Sequence, residues 1–244
     1  MGRDDGPLNM GTAFSRAIIG ARERGRVPLV VDLKPVSPRN GDLVRSRDPA
    51  ALAKMLDSAG VCALSVVTEP DHFGGSLDML REVASSVSLP VLRKDFLRTT
   101  VDVDASLEAG AAAVLLTLST VHELEVPGLY RRIHSLGMEP LVEVHTPEEL
   151  HFALGLTPVP TIIGINNRDI TLLEKDNGDV GVTEYLAPQI PDGVVILSES
   201  AILTSDDVSR AFAAGADGVL VGTAVLRAED PADMVAELMR GPFG

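Results

Sequence analysis

The run Pro90-Val91-Leu92-Arg93-Lys94-Asp95-Phe96 ends a short apolar stretch on charge. Charge at that point stands where a buried strand would meet solvent, and parallel barrels keep their chemistry at such strand ends. Four other strand-like runs finish in the same way: Asp32-Leu33-Lys34, Glu143-Val144-His145, Asn166-Asn167-Arg168-Asp169 and Ser198-Glu199-Ser200. One polar ending is an accident of composition; five suggest a shared site. Asp32 and Lys34 lie two apart, so on a strand their side chains share a face, and in a barrel they point inward together. An ion pair plugging the barrel mouth is the plainer reading of that pair. Lys94 supplies a second lysine, and Glu143 is a carboxylate in an otherwise apolar run. Buried unpaired charges are costly, whereas converging ones pair or are tuned for acid and base work. Two lysines with two carboxylates make such a set.

The end of the chain offers different chemistry. Glu199-Ser200-Ala201 and Gly222-Thr223-Ala224 follow the last two strand-like runs. In barrels the corresponding loops often hold phosphate on backbone N–H groups at a helix N-terminus. Gly41 and Gly74-Gly75 are explained about as well by ordinary turns. The histidines, His72 and His145 among them, show no metal-ligand spacing, so no metal site is expected. Cys62 is the only cysteine and sits in apolar surroundings, which makes it a core thiol rather than a nucleophile and excludes an intrachain disulfide.

These residues need a scaffold, and the periodicity supplies one. From Leu29 onward, short Val/Leu/Ile runs alternate with longer amphipathic segments, the pattern of a parallel sheet covered by helices. Eight strands are expected: Leu29 to Leu33, Ala63 to Val67, Val91 to Arg93, Ala113 to Thr117, Pro140 to Val144, Ile162 to Ile165, Val194 to Leu197 and Gly218 to Val221. Helices are expected over Pro49 to Ser58, Leu77 to Ser86, Val101 to Ala109, Pro147 to Leu154, Ser205 to Ala214 and Pro231 to Met239. A further helix, between Asn9 and Arg26, should cover the base or side of the barrel. Ala59-Gly60-Val61, Ala109-Gly110-Ala111 and Ala214-Gly215-Ala216 repeat one helix-to-strand joint, with glycine free to end each helix in the left-handed region. The charged stretch from Leu172 to Gly181 reads as a long loop.

Eight strands in 244 residues fit a closed (βα)8 barrel of the TIM type. An open dinucleotide-binding sheet would show a Gly-rich first turn with an acidic residue about twenty positions later, and neither feature is present. The expected organisation is a single barrel domain over 1–244, with residues 1–28 as a short N-terminal helical extension and 29–244 as the barrel. The apolar fraction of 45% can fill its core, and the net charge of −14 argues against nucleic acid as a partner. No apolar run approaches the roughly 20 residues of a membrane span, and Met1 to Pro7 leads into no secretory-type segment. A cytoplasmic protein is therefore expected, a monomer or weak homodimer acting on a small anionic substrate.

Taken in order, several strings resemble the indole-3-glycerol phosphate synthase family of tryptophan biosynthesis over nearly the whole chain. They are Asp32-Leu33-Lys34-Pro35-Val36-Ser37-Pro38, Phe73-Gly74-Gly75-Ser76-Leu77, Pro90 to Phe96, Leu141-Val142-Glu143-Val144-His145, Gly164-Ile165-Asn166-Asn167-Arg168-Asp169 and Ser198-Glu199-Ser200. The resemblance implies a carboxy-lyase that closes the ring of 1-(2-carboxyphenylamino)-1-deoxyribulose 5-phosphate, losing carbon dioxide and water, with no organic cofactor and no metal. It implies that Lys94 is the general acid at the substrate carbonyl and that Glu143 moves protons in the later steps. Lys34 would meet the substrate carboxylate and act as second acid, with Asp32 two residues before it in the catalytic group. Asn166 and Ser200 would orient hydroxyls and the catalytic carboxylate. Phosphate would rest near Ser37, Ala201, Gly222 and Thr223, the aromatic ring between Phe73, Phe96 and Leu116, and Arg168 and Glu199 would complete the substrate contacts.

The chain departs from the family pattern at a few positions. The family has glutamate where Asp32 stands, a basic residue at Pro35, small and basic residues where Arg39 and Asn40 stand, and glycine at Ala201; its N-terminal extension is usually longer. Two other readings accompany these departures: a related phosphate-binding barrel acting on another sugar phosphate, and a non-catalytic paralogue.

Overall fold

The computed structural model describes residues 11–44, 47–168 and 178–240. Eight parallel strands close into a barrel: β1 (Leu29–Leu33), β4 (Ala63–Val67), β5 (Val91–Lys94), β6 (Ala113–Thr117), β7 (Glu139–Val144), β8 (Ile162–Asn166), β9 (Val195–Glu199) and β10 (Gly218–Val221). Neighbours in sequence are neighbours in the barrel, and β1 closes it by pairing with both β10 and β4. The connecting helices are α2 (Pro49–Ser58), α3 (Leu77–Ser86), α4 (Thr100–Glu108), α5 (Val126–Ser135), α6 (Pro147–Leu154), α7 (Gly181–Leu186), α8 (Ser205–Ala213), α9 (Thr223–Arg227) and α10 (Pro231–Leu238). A two-residue hairpin, β2 (Val36–Ser37) with β3 (Gly41–Asp42), folds from the loop after β1. In the sequence only the turn residue Gly41 points to it, and Gly41 has a φ of 69° here. The expected loop over 172–181 falls mostly outside the described residues, with α7 beginning at Gly181.

Strand alternation sorts the apolar residues into two layers. Val30, Ala63, Leu92, Ala113, Leu115, Leu141, Ile162, Val195, Leu197 and Leu220 face one another in the barrel interior. Val31, Leu64, Val66, Val114, Leu116, Val142, Ile163, Ile196 and Val219 face outward onto the helices. Three strands run past their apolar stretch by one or two residues, to Lys94, Asn166 and Glu199. Those polar residues stay in the ladder, Lys94 opposite Val67 and Asn166 opposite Glu199. The functional side chains thus hang from paired backbone rather than from loops.

The recurring Ala-Gly joints work as helix stops. Gly60, Gly110 and Gly215 have φ of 94°, 87° and 106°, and the next residue's N–H reaches back to Leu56, Ser106 and Ala211. Helix starts are capped by Asp48, Ser76, Thr99, Thr146, Thr204 and Asp230, each accepting from the first turn.

The N-terminal helix α1 (Ala13–Glu23) closes the base of the barrel. Phe14 and Ile18 are fully buried in the interior layer. Its first turn has no side-chain cap of its own. Instead Glu139, at the bottom of β7, accepts from Ser15 N (2.8 Å), Ser15 Oγ (2.7 Å), Thr12 Oγ1 (3.1 Å) and Thr161 Oγ1 (2.6 Å). At the other end of the helix, Arg22 pairs with the buried Asp217. Among the described residues no helix is long and apolar enough to cross a membrane.

Candidate active site

The string Arg93-Lys94-Asp95-Phe96 divides its work by alternation. Arg93 points outward, where it donates to Thr68 Oγ1, Asp102 O, Ser106 Oγ and Asp95 Oδ2. Asp95 also accepts from Thr68 Oγ1 at 2.6 Å and from Phe96 N at 2.8 Å. This clasp fixes the turn, and Lys94, pointing inward, is held by the strand on one side and the clasp on the other. Its Nζ lies 3.1 Å from Glu143 Oε2 and 3.2 Å from Glu199 Oε2. Asn166 Nδ2 donates to the same Glu143 oxygen at 3.1 Å.

One lysine therefore serves two buried carboxylates. Burial disfavours the ammonium, but Glu143, Glu199 and Asp32 outweigh it and raise its proton affinity, so Lys94 is a cation at neutral pH. Burial likewise disfavours both carboxylates. For Glu143 burial is outweighed by Lys94, with His145 adding to it, and its pKa falls. Glu199 stays high, at about 7, because burial and the charges of Glu143 and Asp32 outweigh Lys94. Its Oε1 is buried with no hydrogen-bond partner, and it fills the space a side chain on Gly164 would need, 2.1 Å from the position of a Cβ there. Two carboxylates of the same type are thus driven apart, the condition for one to take protons while the other holds them.

Above this cluster the barrel mouth opens into two joined hollows of about 430 and about 420 Å3 that share Asp32, Lys34, Lys94 and Ser200. The first has aromatic walls. Phe73 and Phe96 stand 6.5 Å apart between ring centroids, and Lys34 Nζ lies 5.5 Å from the Phe73 ring, within cation–π reach. Phe73 is placed by Glu69, whose carboxylate accepts from the N–H groups of Asp71, His72 and Phe73. Gly75 allows this turn to approach the sheet, since a Cβ there would sit 2.1 Å from Val67 O. Asp32 Oδ1 accepts from Ser65 Oγ at 2.6 Å.

The second hollow is lined by Arg168, by Ser200 to Leu203 and by Gly222 and Thr223. Ser200 and Ala201 have φ of 66° and 58°, a left-handed pair that costs about 1 kcal/mol or more per residue without glycine. Asn167 holds the pair in place. Its Nδ2 donates to Ser198 Oγ, Glu199 O and Ser200 O, while its Oδ1 accepts from the N–H and hydroxyl of Thr183. Backbone N–H groups in loops at this end of a barrel suit an anion. Among the described residues no cluster of His, Cys, Asp and Glu is arranged to hold a metal ion.

Of the residues singled out in the sequence, Asp32, Lys34, Phe73, Lys94, Phe96, Glu143, Asn166, Arg168, Ser200, Ala201, Gly222 and Thr223 line one or both hollows. Leu116 does not, and the expectation for it is corrected. It packs in the outer layer against the helices, and its neighbours Leu115 and Thr117 line the aromatic hollow instead. The two-residue alternation from Ala113 held the signal. Glu199 stands behind Lys94 as its counter-ion rather than in either lining. Ser37 is buried and accepts from Asn40, also away from both linings. Sequence reasoning missed Glu69, whose partners are backbone N–H groups, and Asn167, whose partners on Thr183, Ser198, Glu199 and Ser200 lie far away in the chain. Asp169 lies outside the described residues.

The sequence profile of a family described as indole-3-glycerol phosphate synthase matches residues 11–238. Relatives bearing that name include a protein of Pyrococcus furiosus, 41% identical over 226 residues that cover 93% of this chain and 96% of the relative. One of Kineococcus radiotolerans is 42% identical, covering 90% and 78% of the two chains. One of Halalkalibacterium halodurans is 40% identical, covering 87% and 81%.

Proposed function

Because this chain belongs to the indole-3-glycerol phosphate synthase family, we propose that it closes the indole ring of 1-(2-carboxyphenylamino)-1-deoxyribulose 5-phosphate with loss of carbon dioxide and water. The single observation that carries this reading is Lys94 shared between Glu143 and Glu199 at the junction of an aromatic and an anion-accepting hollow. The substrate has the matching parts: an aromatic acid, a carbonyl and a phosphate.

Phe73 and Phe96 flank the ring, and Lys34 meets its carboxylate. The phosphate lies on the backbone of Ser200, Ala201, Gly222 and Thr223 beside Arg168. Held at both ends, the ring carbon that bears the carboxylate faces the carbonyl carbon, which supplies the orientation that makes the attack effectively unimolecular. As that bond forms, negative charge grows on the carbonyl oxygen. Lys94, kept cationic by its carboxylates, stabilises it and donates a proton, the developing alkoxide being the stronger base. The carbon–carboxylate bond then breaks and its electrons restore the aromatic ring. In the last step the new hydroxyl leaves as water with a proton from Lys34, while Glu143, oriented by Asn166, takes the proton lost from the substrate.

Another sugar-phosphate barrel would use the second hollow but has no need of the aromatic walls or of two lysines. We place the activity in the cytoplasm, with the protein a monomer or weak homodimer. The test is indole fluorescence after adding the carboxyphenylamino-deoxyribulose phosphate to purified protein. Wild type gives product, and Lys94→Ala lowers kcat/KM by about a thousandfold or more, within the range of losing a general acid together with its electrostatic role. No product at high wild-type concentration would overturn the reading.

A further inference from the structure

Glu143 has a second neighbour that the reaction scheme leaves unused. His145 follows it by two residues, just past the end of β7. Its Nε2 lies 3.9 Å from Glu143 Oε1, the carboxylate oxygen that Lys94 and Asn166 do not contact. On the ring's other side Nδ1 lies 3.4 Å from Glu149 Oε2. Both ring nitrogens are buried without a well-formed hydrogen bond, and the side chain is only 13% exposed.

The local sequence His145-Thr146-Pro147-Glu148-Glu149 makes this arrangement. Thr146 caps α6 by accepting from Glu149 N, and Pro147 fits the first turn, where its missing N–H is harmless. Glu149 in turn reaches back past the cap to accept from His145 N at 2.6 Å. Its carboxylate is therefore anchored by backbone whatever the state of the imidazole, and a neutral ring in this slot would leave two carboxylates facing an uncharged group.

We propose that His145 is a positioning residue that acts through Glu143: as an imidazolium clamped between Glu143 and Glu149, it is the second counter-ion that keeps Glu143 in its proton-accepting form. Lys94 is shared with Glu199, so this further cation helps Glu143 remain ionised while Glu199 takes the proton more readily. Burial works against the imidazolium, but Glu149 and Glu143 together raise its proton affinity above the usual imidazole value. Lys94, beyond Glu143, opposes it. The catalytic part of the inference rests on the synthase reading, whereas the charge coupling does not.

Two measurements separate these parts. The first is NMR titration of the His145 ring in the intact protein without substrate. Its midpoint should lie above about 6.5, the ordinary value, and should fall in Glu143→Gln and again in Glu149→Gln. A midpoint at or below the ordinary value, or one that ignores Glu143→Gln, would overturn the proposal even if the enzyme is active. The second is the pH profile of kcat/KM for His145→Asn. Its acid limb should move up by about one unit, the low end of what one opposite charge at this distance does, with kcat kept on the plateau. An unmoved limb in a folded variant would refute the link to Glu143. Absence of turnover in wild type would instead refute the synthase reading and leave the titration to decide the coupling.

Discussion

Glu139 and Glu143 are four residues apart on the same strand, both inward and both 1% exposed, yet they live in opposite chemical worlds. At the base, Glu139 receives four hydrogen bonds from neutral donors of α1, Thr12 and Thr161. At the mouth, Glu143 competes with Glu199 for one lysine, and Glu199 keeps an oxygen with no partner. A fully satisfied carboxylate holds structure together, because every donor it meets would be orphaned without it. A cluster with too many carboxylates for its cations stores proton affinity instead, and that is what chemistry uses. The contrast matches the general division of such barrels into a stabilising base and a reactive mouth.

The contrast should show in substitutions. The largest effect is expected from Glu143→Gln, which keeps shape and removes the base. It should lower kcat/KM by about a hundredfold to ten-thousandfold, with product formation as the readout, and leave the denaturation midpoint near wild type. Next is Glu139→Ala, which strands buried donors of α1 and should cost about 2–4 kcal/mol in urea unfolding. Turnover per folded molecule should be retained. An inverted pattern would dissolve the comparison.

The smallest effect sharpens it at the mouth. Glu199 has a raised folded-state pKa of about 7. The stability gained from its proton is therefore present at pH below the unfolded carboxylate value and is lost as pH rises through 7. Glu199→Gln cannot ionise, so its melting temperature relative to wild type should increase between pH 5 and pH 8. A difference that stays flat with pH would show that Glu199 is not the protonated member of the cluster.

Much of this was legible in the chain. Short apolar runs with Ala-Gly joints specify a repeating strand–helix unit, and polar residues at strand ends mark the mouth. The apolar pattern stops short of Lys94, Asn166 and Glu199, since hydropathy ends where a ladder need not. Leu116, which the family resemblance sets beside the ring, faces the helices instead; its parity with Thr117 puts Leu115 on the inner face. The docking of the Val36 hairpin and the base role of Glu139 depend on partners more than 30 residues away, Phe73 O for Val36 N and Ser15 for Glu139. Such contacts leave no local pattern. His145 sits beside a capping motif that sequence shows, but its charge partners appear only once Glu143 and Glu149 are brought to either side of it.

The central claim is that the two ends of β7 do separable work, and a double-substitution cycle of Glu139→Gln and Glu143→Gln tests it most directly, with kcat/KM and unfolding free energy measured on each variant. The two positions are about 13 Å apart along the strand at roughly 3.3 Å per residue, far enough for independent effects to add. The account predicts that the double variant has the activity of Glu143→Gln alone and the stability of Glu139→Gln alone. A Glu139→Gln protein that is folded but has lost more than about tenfold in kcat/KM, well beyond the additivity expected of distant sites, would contradict it.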